Sequence, residues 1–555
     1  MKKIYSIFTS ALVLLVALQG CDKTYLKEVV DESKKQNQEV PVIEDDEITK
    51  VLRGIKGVSN VTISLAALPQ AQTKAEGVPA GYVKQYFFSY AQPVDHNDPA
   101  KGTFYQRVAM QLTDLKNPVV VGTLGYALTM TGQNSFQEDL VTFLNANYVE
   151  IEFRYFGDSQ PEDMNNVNFT YLYSEQSACD IHEVVTMLKA NLFKQNKWVA
   201  TGASKGGITA ALHAYYADQK GWKDFDLYVP FCAPFLAGTA DTPLDSSMGK
   251  YVFESCGAGY PAGSKEAVGY ANLRKILLQC ESKPALRDAV LCRYHSASVE
   301  HYRNIMTQFK GATEAHMLSG FYVDYMETLI DRFIYTPFSQ WAQMVPDPDP
   351  IKEGDKPGVT ILMSPLDQVL HFLFMSEEEF NALVKEAQEE EEEEGDDTKA
   401  STHTVQEMQA LRIDPKMDMA YGVATVRELG TVGVDFSWLP EKAFFTQALG
   451  YEVEEKAVGR ARSWDYYEGQ WDGGKLMTDL RNWLSSGKQK MVFVYGSNDP
   501  WTGGAIPDAA AQANPNVVKV MNFGGWHDNA FLHENNYTKE ASTQIQNAVK
   551  DFLNK

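Results

Sequence analysis

Three side chains of this sequence have the types that make an activated nucleophile, its base and an orienting acid. Ser204 stands in Thr201-Gly202-Ala203-Ser204-Lys205-Gly206-Gly207. The apolar segment Trp198-Val199-Ala200 precedes it, and Ile208, Ala211, Leu212 and Tyr215 follow at helical spacing. Strand, Gly-x-Ser-x-Gly, helix is the setting of a nucleophile elbow. Its glycines permit a turn too sharp for residues with a Cβ. The turn lifts the Ser204 hydroxyl above the sheet edge, at the positive end of the next helix. A serine so placed needs a base, and the base needs an acid to orient it.

Asp499 follows the apolar run Val492-Phe493-Val494-Tyr495, and His527 follows the next strand pattern, Val517 to Met521. Serine, then acid, then histidine, each just past a strand, is the chain order of α/β-hydrolases. The rivals are weaker. His96, His182 and His213 precede or adjoin the elbow, against that order, and His533 lies further into a helical pattern. Asp226 and Asp528 are rival acids, but Asp528 adjoins His527, and neighbours seldom aim side chains at each other. An oxyanion needs two convergent N–H donors. The backbone of Lys205 offers one, and the loop Gly122-Thr123-Leu124-Gly125-Tyr126 offers the other from Gly125 or Tyr126. The Lys205 side chain is expected to pair with a carboxylate.

The elements that must position these groups alternate. Strand patterns at 86–90, 103–112, 119–121, 148–153, 198–201 and 227–229 are interleaved with helical patterns at 135–146 and 174–192. After Pro234 the alternation fades into amphipathic helical segments, with one strand candidate at 359–363, and it returns at Met491. A helix near Pro507 and a terminal helix over 538–553 complete it. This predicts an α/β-hydrolase fold, a mostly parallel sheet covered on both faces, with a large helical insertion acting as a cap. The expected organisation is a signal peptide over 1–20, a flexible tether over 21–48, hydrolase segments at 49–236 and 486–555, and the cap at 237–485. Within the cap, Glu389 to Glu394 reads as a solvated acidic loop.

Lys2 and Lys3, the apolar run Ile7 to Ala17, and Leu18-Gln19-Gly20-Cys21 are the parts of a signal peptide. A cysteine after a small residue at the cut resembles a bacterial lipobox, in which Cys21 is lipidated. The polar stretch behind it, including Lys34-Lys35-Gln36-Asn37-Gln38-Glu39, has too little apolar surface to order itself. The expected location is therefore the bacterial cell envelope, lipid-anchored to the membrane. A net charge of −23 argues against nucleic-acid binding. No Cys/His spacing fits a zinc site, and no metal or cofactor is expected. Of six cysteines, Cys256, Cys280 and Cys292 cluster, so one disulfide among them is expected outside the cytoplasm.

Several motifs in register carry a family resemblance. They are Gln92-Pro93-Val94-Asp95-His96, Gly102-Thr103-Phe104-Tyr105-Gln106-Arg107, Glu152-Phe153-Arg154-Tyr155-Phe156-Gly157-Asp158-Ser159-Gln160-Pro161, Gly202-Ala203-Ser204-Lys205-Gly206-Gly207 and Tyr495-Gly496-Ser497-Asn498-Asp499-Pro500-Trp501. Together they resemble serine-peptidase family thirty-seven, secreted bacterial enzymes of the prolyl tripeptidyl-aminopeptidase type. More distantly they resemble the family of lysosomal prolyl carboxypeptidase and its dipeptidyl-peptidase relative. The likeness covers about 80–235 and 490–530. It implies Ser204 as nucleophile, Asp499 as acid and His527 as base, and release of short peptides from the N-terminus of peptide substrates. Two positions depart from it: Phe153 replaces a frequent His, and Leu124 a frequent Glu before Gly-Tyr. An aminopeptidase needs an anion for the substrate's ammonium, and Glu428 in Arg427-Glu428-Leu429-Gly430 is the candidate. The same triad would also serve an esterase or lipase, and a peptide-binding lipoprotein without catalysis is the remaining alternative.

Overall fold

The computed structural model describes residues 45–67, 78, 82–130, 139–163, 167–236, 246–297, 314–358, 364–393, 415–430, 472–527 and 537–554. Nine strands form one sheet in the order β1-β2-β3-β5-β4-β6-β7-β8-β9. They are β1 (Val58–Ala67), β2 (Tyr82–Pro93), β3 (Thr103–Leu112), β4 (Val119–Gly122), β5 (Asn147–Ile151), β6 (Trp198–Ala203), β7 (Leu227–Phe231), β8 (Met491–Gly496) and β9 (Val517–Asn522). The pairs β1·β2, β2·β3 and β3·β5 are antiparallel, and every pair from β5 through β4 to β9 is parallel. The sheet is thus mostly parallel, an α/β-hydrolase arrangement with an antiparallel flank. Strand β1 lies ahead of the first strand expected from the sequence.

Strands β4, β7 and β8 are apolar and buried along their whole length because both faces are covered. Side chains alternate between the faces. Val119 and Val121 enter one core with Ala200, Met491, Phe493 and Tyr495. Val120 enters the other with Val199, Val492 and Val494. The first core is roofed by α3 (Ser174–Asn191) and α4 (Lys205–Lys220), through Ile181, Val184, Ile208, Ala211 and Leu212. A short α1 (Glu47–Gly54) packs Leu52 into the same core, and α2 (Asp139–Leu144) puts Leu140 and Val141 in the opposite one.

Between β7 and β8 the described residues are mainly helical: α5 (Ser246–Glu254), α6 (Lys265–Ser282), α7 (Pro284–Ala297), α8 (Glu314–Tyr335), α9 (Pro365–Phe374), α10 (Glu377–Glu393) and α11 (Pro415–Ala424). Most of them share a separate core that includes Phe253, Ile276, Phe321, Phe333, Trp341 and Phe372. The acidic run read as a loop is instead the end of α10 up to Glu393. Glutamate is a good helix former, and that propensity carries the helix through the like charges. The strand candidate at 359–363 and the first residues of the helix expected at 135–146 lie outside the described residues. Helix α12 (Lys475–Trp483) precedes β8, α13 (Asp508–Ala513) lies between β8 and β9, and α14 (Lys539–Asn554) seals the second face with Ile545, Val549 and Phe552.

None of Cys179, Cys232, Cys256, Cys280 and Cys292 is in a disulfide. Cys256 and Cys280 are instead fully buried among the apolar side chains of the helical core, where a thiol packs as a small hydrophobe. The expected disulfide among Cys256, Cys280 and Cys292 is therefore corrected. The leader, Cys21 and the tether up to residue 44 lie outside the described residues. The last residues of the expected tether, 45–48, instead belong to the fold, with Asp46 capping α1 and bonded to Lys84 and Tyr86.

Candidate active site

Strand β6 ends at Ala203 and α4 begins at Lys205, so Ser204 alone makes the turn. Its backbone is at φ 53°, ψ −121°, a region sparsely used by residues with a Cβ. Holding it there costs on the order of 1–3 kcal/mol, supplied by the surrounding packing. The Ser204 N–H donates to the Phe231 carbonyl at 2.9 Å, and its own carbonyl accepts from Ile208 at 3.0 Å. The turn is possible because the chain crosses itself closely. A Cβ on Gly202 would sit 2.6 Å from the Gly206 backbone, and one on Gly206 would sit 2.8 Å from the Leu124 oxygen.

The loop after β4 lies flush against this turn. Thr123 N–H donates to the Thr201 carbonyl at 2.8 Å, and its hydroxyl donates to the carbonyls of Thr201 and Gly206, each at 3.0 Å. Gly125, at φ +74°, touches the Lys205 stem: a Cβ there would lie 3.0 Å from Lys205 Cγ. The N–H of Lys205 and the segment Gly125–Tyr126 are thus neighbours, with Lys205 at the N-terminus of a sixteen-residue helix. Two buried carboxylates brace the chain just beyond. Glu150 accepts from the N–H groups of Thr129 and Met130, and Glu152 from those of Leu128, Asp158 and Ser159. Burial raises the pKa of both carboxyls.

Asp499 follows β8 and His527 follows β9. His527 Nδ1 lies 2.9 Å from Asp499 Oδ2, with both side chains buried. The other carboxylate oxygen accepts the Trp501 N–H at 2.9 Å. The helical region holds this loop from above: Gly257 N–H donates to Asn498 Oδ1 at 2.8 Å, and the Tyr251 hydroxyl donates to the Ser497 carbonyl at 3.2 Å. Phe231, whose carbonyl anchors Ser204, precedes Cys232, and Cys232 Sγ lies within 4.8 Å of the Asp499 and His527 ligand atoms. The elbow and the Asp–His pair thus both follow the carboxyl ends of the neighbouring parallel strands β6, β8 and β9, with β7 between β6 and β8. Among the described residues the Ser204 hydroxyl makes no hydrogen bond; such bonds often tighten only around substrate.

The rival side chains are committed elsewhere. His96 Nε2 lies 2.7 Å from Asp180, which also takes a two-pronged ion pair from the buried Arg154. His182 and His213 flank Asp224. Asp226 accepts from Lys197 and from the N–H of Trp198, at the start of β6 and so the opposite end of the sheet. Asp528 and His533 lie outside the described residues.

Lys205 differs from expectation. Its amine donates to the Gly125 carbonyl and lies 3.6 Å from the Phe153 ring centre, 4.9 Å from Phe156 and 5.2 Å from Tyr126. No carboxylate pairs with it among the described residues, because aromatic faces and a carbonyl occupy the space around it. Burial pushes its pKa well down. Sequence reading missed the roles of Phe153 and Phe156; their proximity in Glu152-Phe153-Arg154-Tyr155-Phe156 was the available signal. It also missed Cys232 and Trp501, whose ring centre lies 6.0 Å from that of His527.

Glu428 sits on a π-turn, Thr425–Leu429, directly after α11. It lines a narrow cleft with Phe153, Ser174, Lys205, Ile208 and Thr209. One carboxylate oxygen accepts the N–H and hydroxyl of Ser174 at 2.7 and 2.8 Å. Burial raises its pKa to about 6.

Residues 58–268 match the family model described as PS-10 peptidase S37. Over that stretch, less than half of the chain, the sequence is similar to the S37 peptidases. A prolyl tri/tetrapeptidyl aminopeptidase of Streptomyces mobaraensis is 32% identical to this chain over 173 residues, 29% of the chain and 35% of the relative. The matched stretch thus spans about a third of that relative's length. Among solved structures, a peroxisomal α/β-hydrolase from Saccharomyces cerevisiae shares 8% identity at a TM-score of 0.33, covering 90% of each chain. A 2-hydroxy-6-oxo-6-phenylhexa-2,4-dienoate hydrolase from Rhodococcus sp. strain RHA1 shares 10% at 0.31, covering 84% of this chain and 99% of its own. The fold assignment rests on the sheet order and the elbow of this chain itself.

Proposed function

We propose that this chain is a serine peptidase that releases short peptides from the N-terminus of peptide substrates through an acyl-enzyme. The observation that carries this reading is the 2.9 Å contact between His527 Nδ1 and Asp499, beside the strained turn of Ser204. His527 Nε2 takes the Ser204 proton as Oγ attacks the scissile carbonyl, and Asp499 holds the ring and balances the imidazolium that forms. The oxyanion rests on the N–H of Lys205 and on one from Gly125 or Tyr126. Collapse breaks the C–N bond, and His527 returns the proton to the leaving amine. Water then repeats the sequence on the ester and frees the acid.

The aminopeptidase direction is supported by the S37 match and the named relative. Within the molecule, Glu428 is the proposed partner of the substrate ammonium: one of its oxygens makes no hydrogen bond among the described residues, and it lines the same cleft as Lys205. The residues between β7 and β8 are proposed to cap the site and restrict it to chain ends. The leader and Cys21 are proposed to anchor the protein by lipid to the bacterial cell envelope.

A fluorophosphonate probe should label the wild type and not Ser204→Ala. Mass spectrometry of a digested peptide library should then show two- to four-residue fragments lost from N-termini. Turnover of p-nitrophenyl esters with no peptide cleavage would show an esterase instead.

A further inference from the structure

We propose that the Lys205 side chain is a positioning residue for the oxyanion hole: it sets the peptide plane between Gly125 and Tyr126 so that the Tyr126 N–H, rather than that of Gly125, becomes the second donor. This rests on the reading of Ser204 as the nucleophile. Lys205 is the first residue of α4, and its side chain turns back to donate to the Gly125 carbonyl. The amine is fully enclosed, with the rings of Phe153, Phe156 and Tyr126 around it. A neutral amine and an ammonium both carry N–H donors, so the bond to Gly125 survives the loss of its proton.

Peptide geometry turns that one bond into an orientation. The described residues contain no cis peptide. In a trans peptide the N–H points opposite to the carbonyl of the same plane. With the Gly125 oxygen held by Lys205, the Tyr126 N–H is directed to the other side. The neighbouring plane is set independently. The Leu124 oxygen faces Gly206, where a Cβ would lie only 2.8 Å from it. The Gly125 N–H shares that plane and so points away from the start of α4. Beyond, the Tyr126 carbonyl accepts from Phe153 N–H at 2.9 Å, which pins the far side of the residue. The residue that offers its own N–H as one donor thus orients the other through its side chain.

The test compares wild type with Lys205→Met, which keeps the stem between the rings but cannot donate, and with Lys205→Ala. For Lys205→Met, kcat on a peptide anilide should fall about 10²-fold, the order seen when one oxyanion donor is lost, with KM changed less than twofold. Affinity for a peptidyl aldehyde, which forms the tetrahedral adduct, should weaken by the same factor. For Lys205→Ala, added n-propylamine should restore at least tenfold of the lost kcat, a rescue that general damage to the fold would not show. Wild-type kcat in Lys205→Met, or a loss in Lys205→Ala that propylamine does not relieve, would overturn the proposal. Fluorophosphonate labelling of the wild type separates the two levels: its absence removes the serine-peptidase reading and this one with it, whereas its presence leaves only the Lys205 role at stake.

Discussion

Glu428 and Ser174 are joined across 254 positions of sequence by two hydrogen bonds to one carboxylate oxygen. Ser174 opens α3, so the carboxylate also meets the positive end of that helix. Burial nevertheless dominates and raises the pKa to about 6. Protonation below that value removes the anion proposed to hold the substrate ammonium. The ratio of kcat/KM for a free-amine peptide over its N-acetylated twin should therefore fall as pH drops from about 7 to about 5. Taking the ratio cancels any group that affects both substrates. Glu428→Gln should lower the ratio at least tenfold at neutral pH and leave it flat with pH. A ratio that keeps its wild-type value in the variant would show that Glu428 serves only to hold Ser174.

Asp499 is fully buried with one oxygen on His527 and the other on the Trp501 N–H. Asparagine preserves the shape but presents an amide where the imidazole needs an acceptor. Asp499→Asn should lower kcat by about 10³- to 10⁴-fold, as loss of the orienting acid does in other triads, with KM nearly unchanged. Steady-state kinetics decide it, and a loss below tenfold would mean that Asp499 does not orient the base.

How much of this was legible in the sequence depends on the range of the interaction. Strand β6, the turn at Ser204 and helix α4 are local, and the apolar run and the Gly-x-Ser-x-Gly spacing announce them. That Asp499 and His527 stand just past strands was legible for the same reason: Val492–Tyr495 is an apolar run and Val517–Met521 a largely apolar one, interrupted only by Lys519, and both are cut off by Gly, Asn and Asp. The surroundings of Lys205 were not legible, since they come from β4's loop and the turn after β5 closing on the start of α4. Charge alone suggested a carboxylate, and packing supplied three rings. The cysteines misled similarly: clustering in sequence says nothing of whether Cys256 and Cys280 face each other inside a helical core. Two acids, Glu150 within β5 and Glu152 just past its end, were visible as charges in an apolar stretch, and they turn out to hold backbone N–H groups of the loop beyond Tyr126.

Gly206 tests how tightly the turn and the loop after β4 must fit. A Cβ there would lie 2.8 Å from the Leu124 oxygen and 3.2 Å from that of Thr123, both backbone atoms with no flexible end to yield. The loop must move by several tenths of an ångström, carrying Gly125 and Tyr126 away from the Lys205 N–H. Overpacking of this kind costs about 1–3 kcal/mol. Gly206→Ala should therefore lose at least tenfold in kcat and also unfold at lower denaturant, whereas wild-type kinetics would show that the loop is free to shift without consequence.

Asp224 lies just before the start of β7, at the end of the sheet opposite the proposed site, yet it should govern acid stability. His182 Nδ1 is 2.8 Å from its carboxylate, and His213 Nε2 is 3.2 Å away. His182 also stacks on Trp222 with ring centres 4.1 Å apart. Burial alone would raise the Asp224 pKa, but the two imidazoles outweigh it and bring it down to about 2. A carboxyl whose pKa is lower folded than unfolded contributes stability above its unfolded value, about 3.9, and loses that contribution as pH falls toward the folded one. A difference of nearly two units corresponds to roughly 2.5 kcal/mol. Asp224→Asn should thus be less stable than wild type by about that amount at pH 5 to 7, and the gap should narrow as pH falls from about 4 to about 2. Urea midpoints measured for both proteins across this range give the comparison. A gap that stays constant with pH would assign the loss to packing around His182 and His213 rather than to the carboxylate's charge.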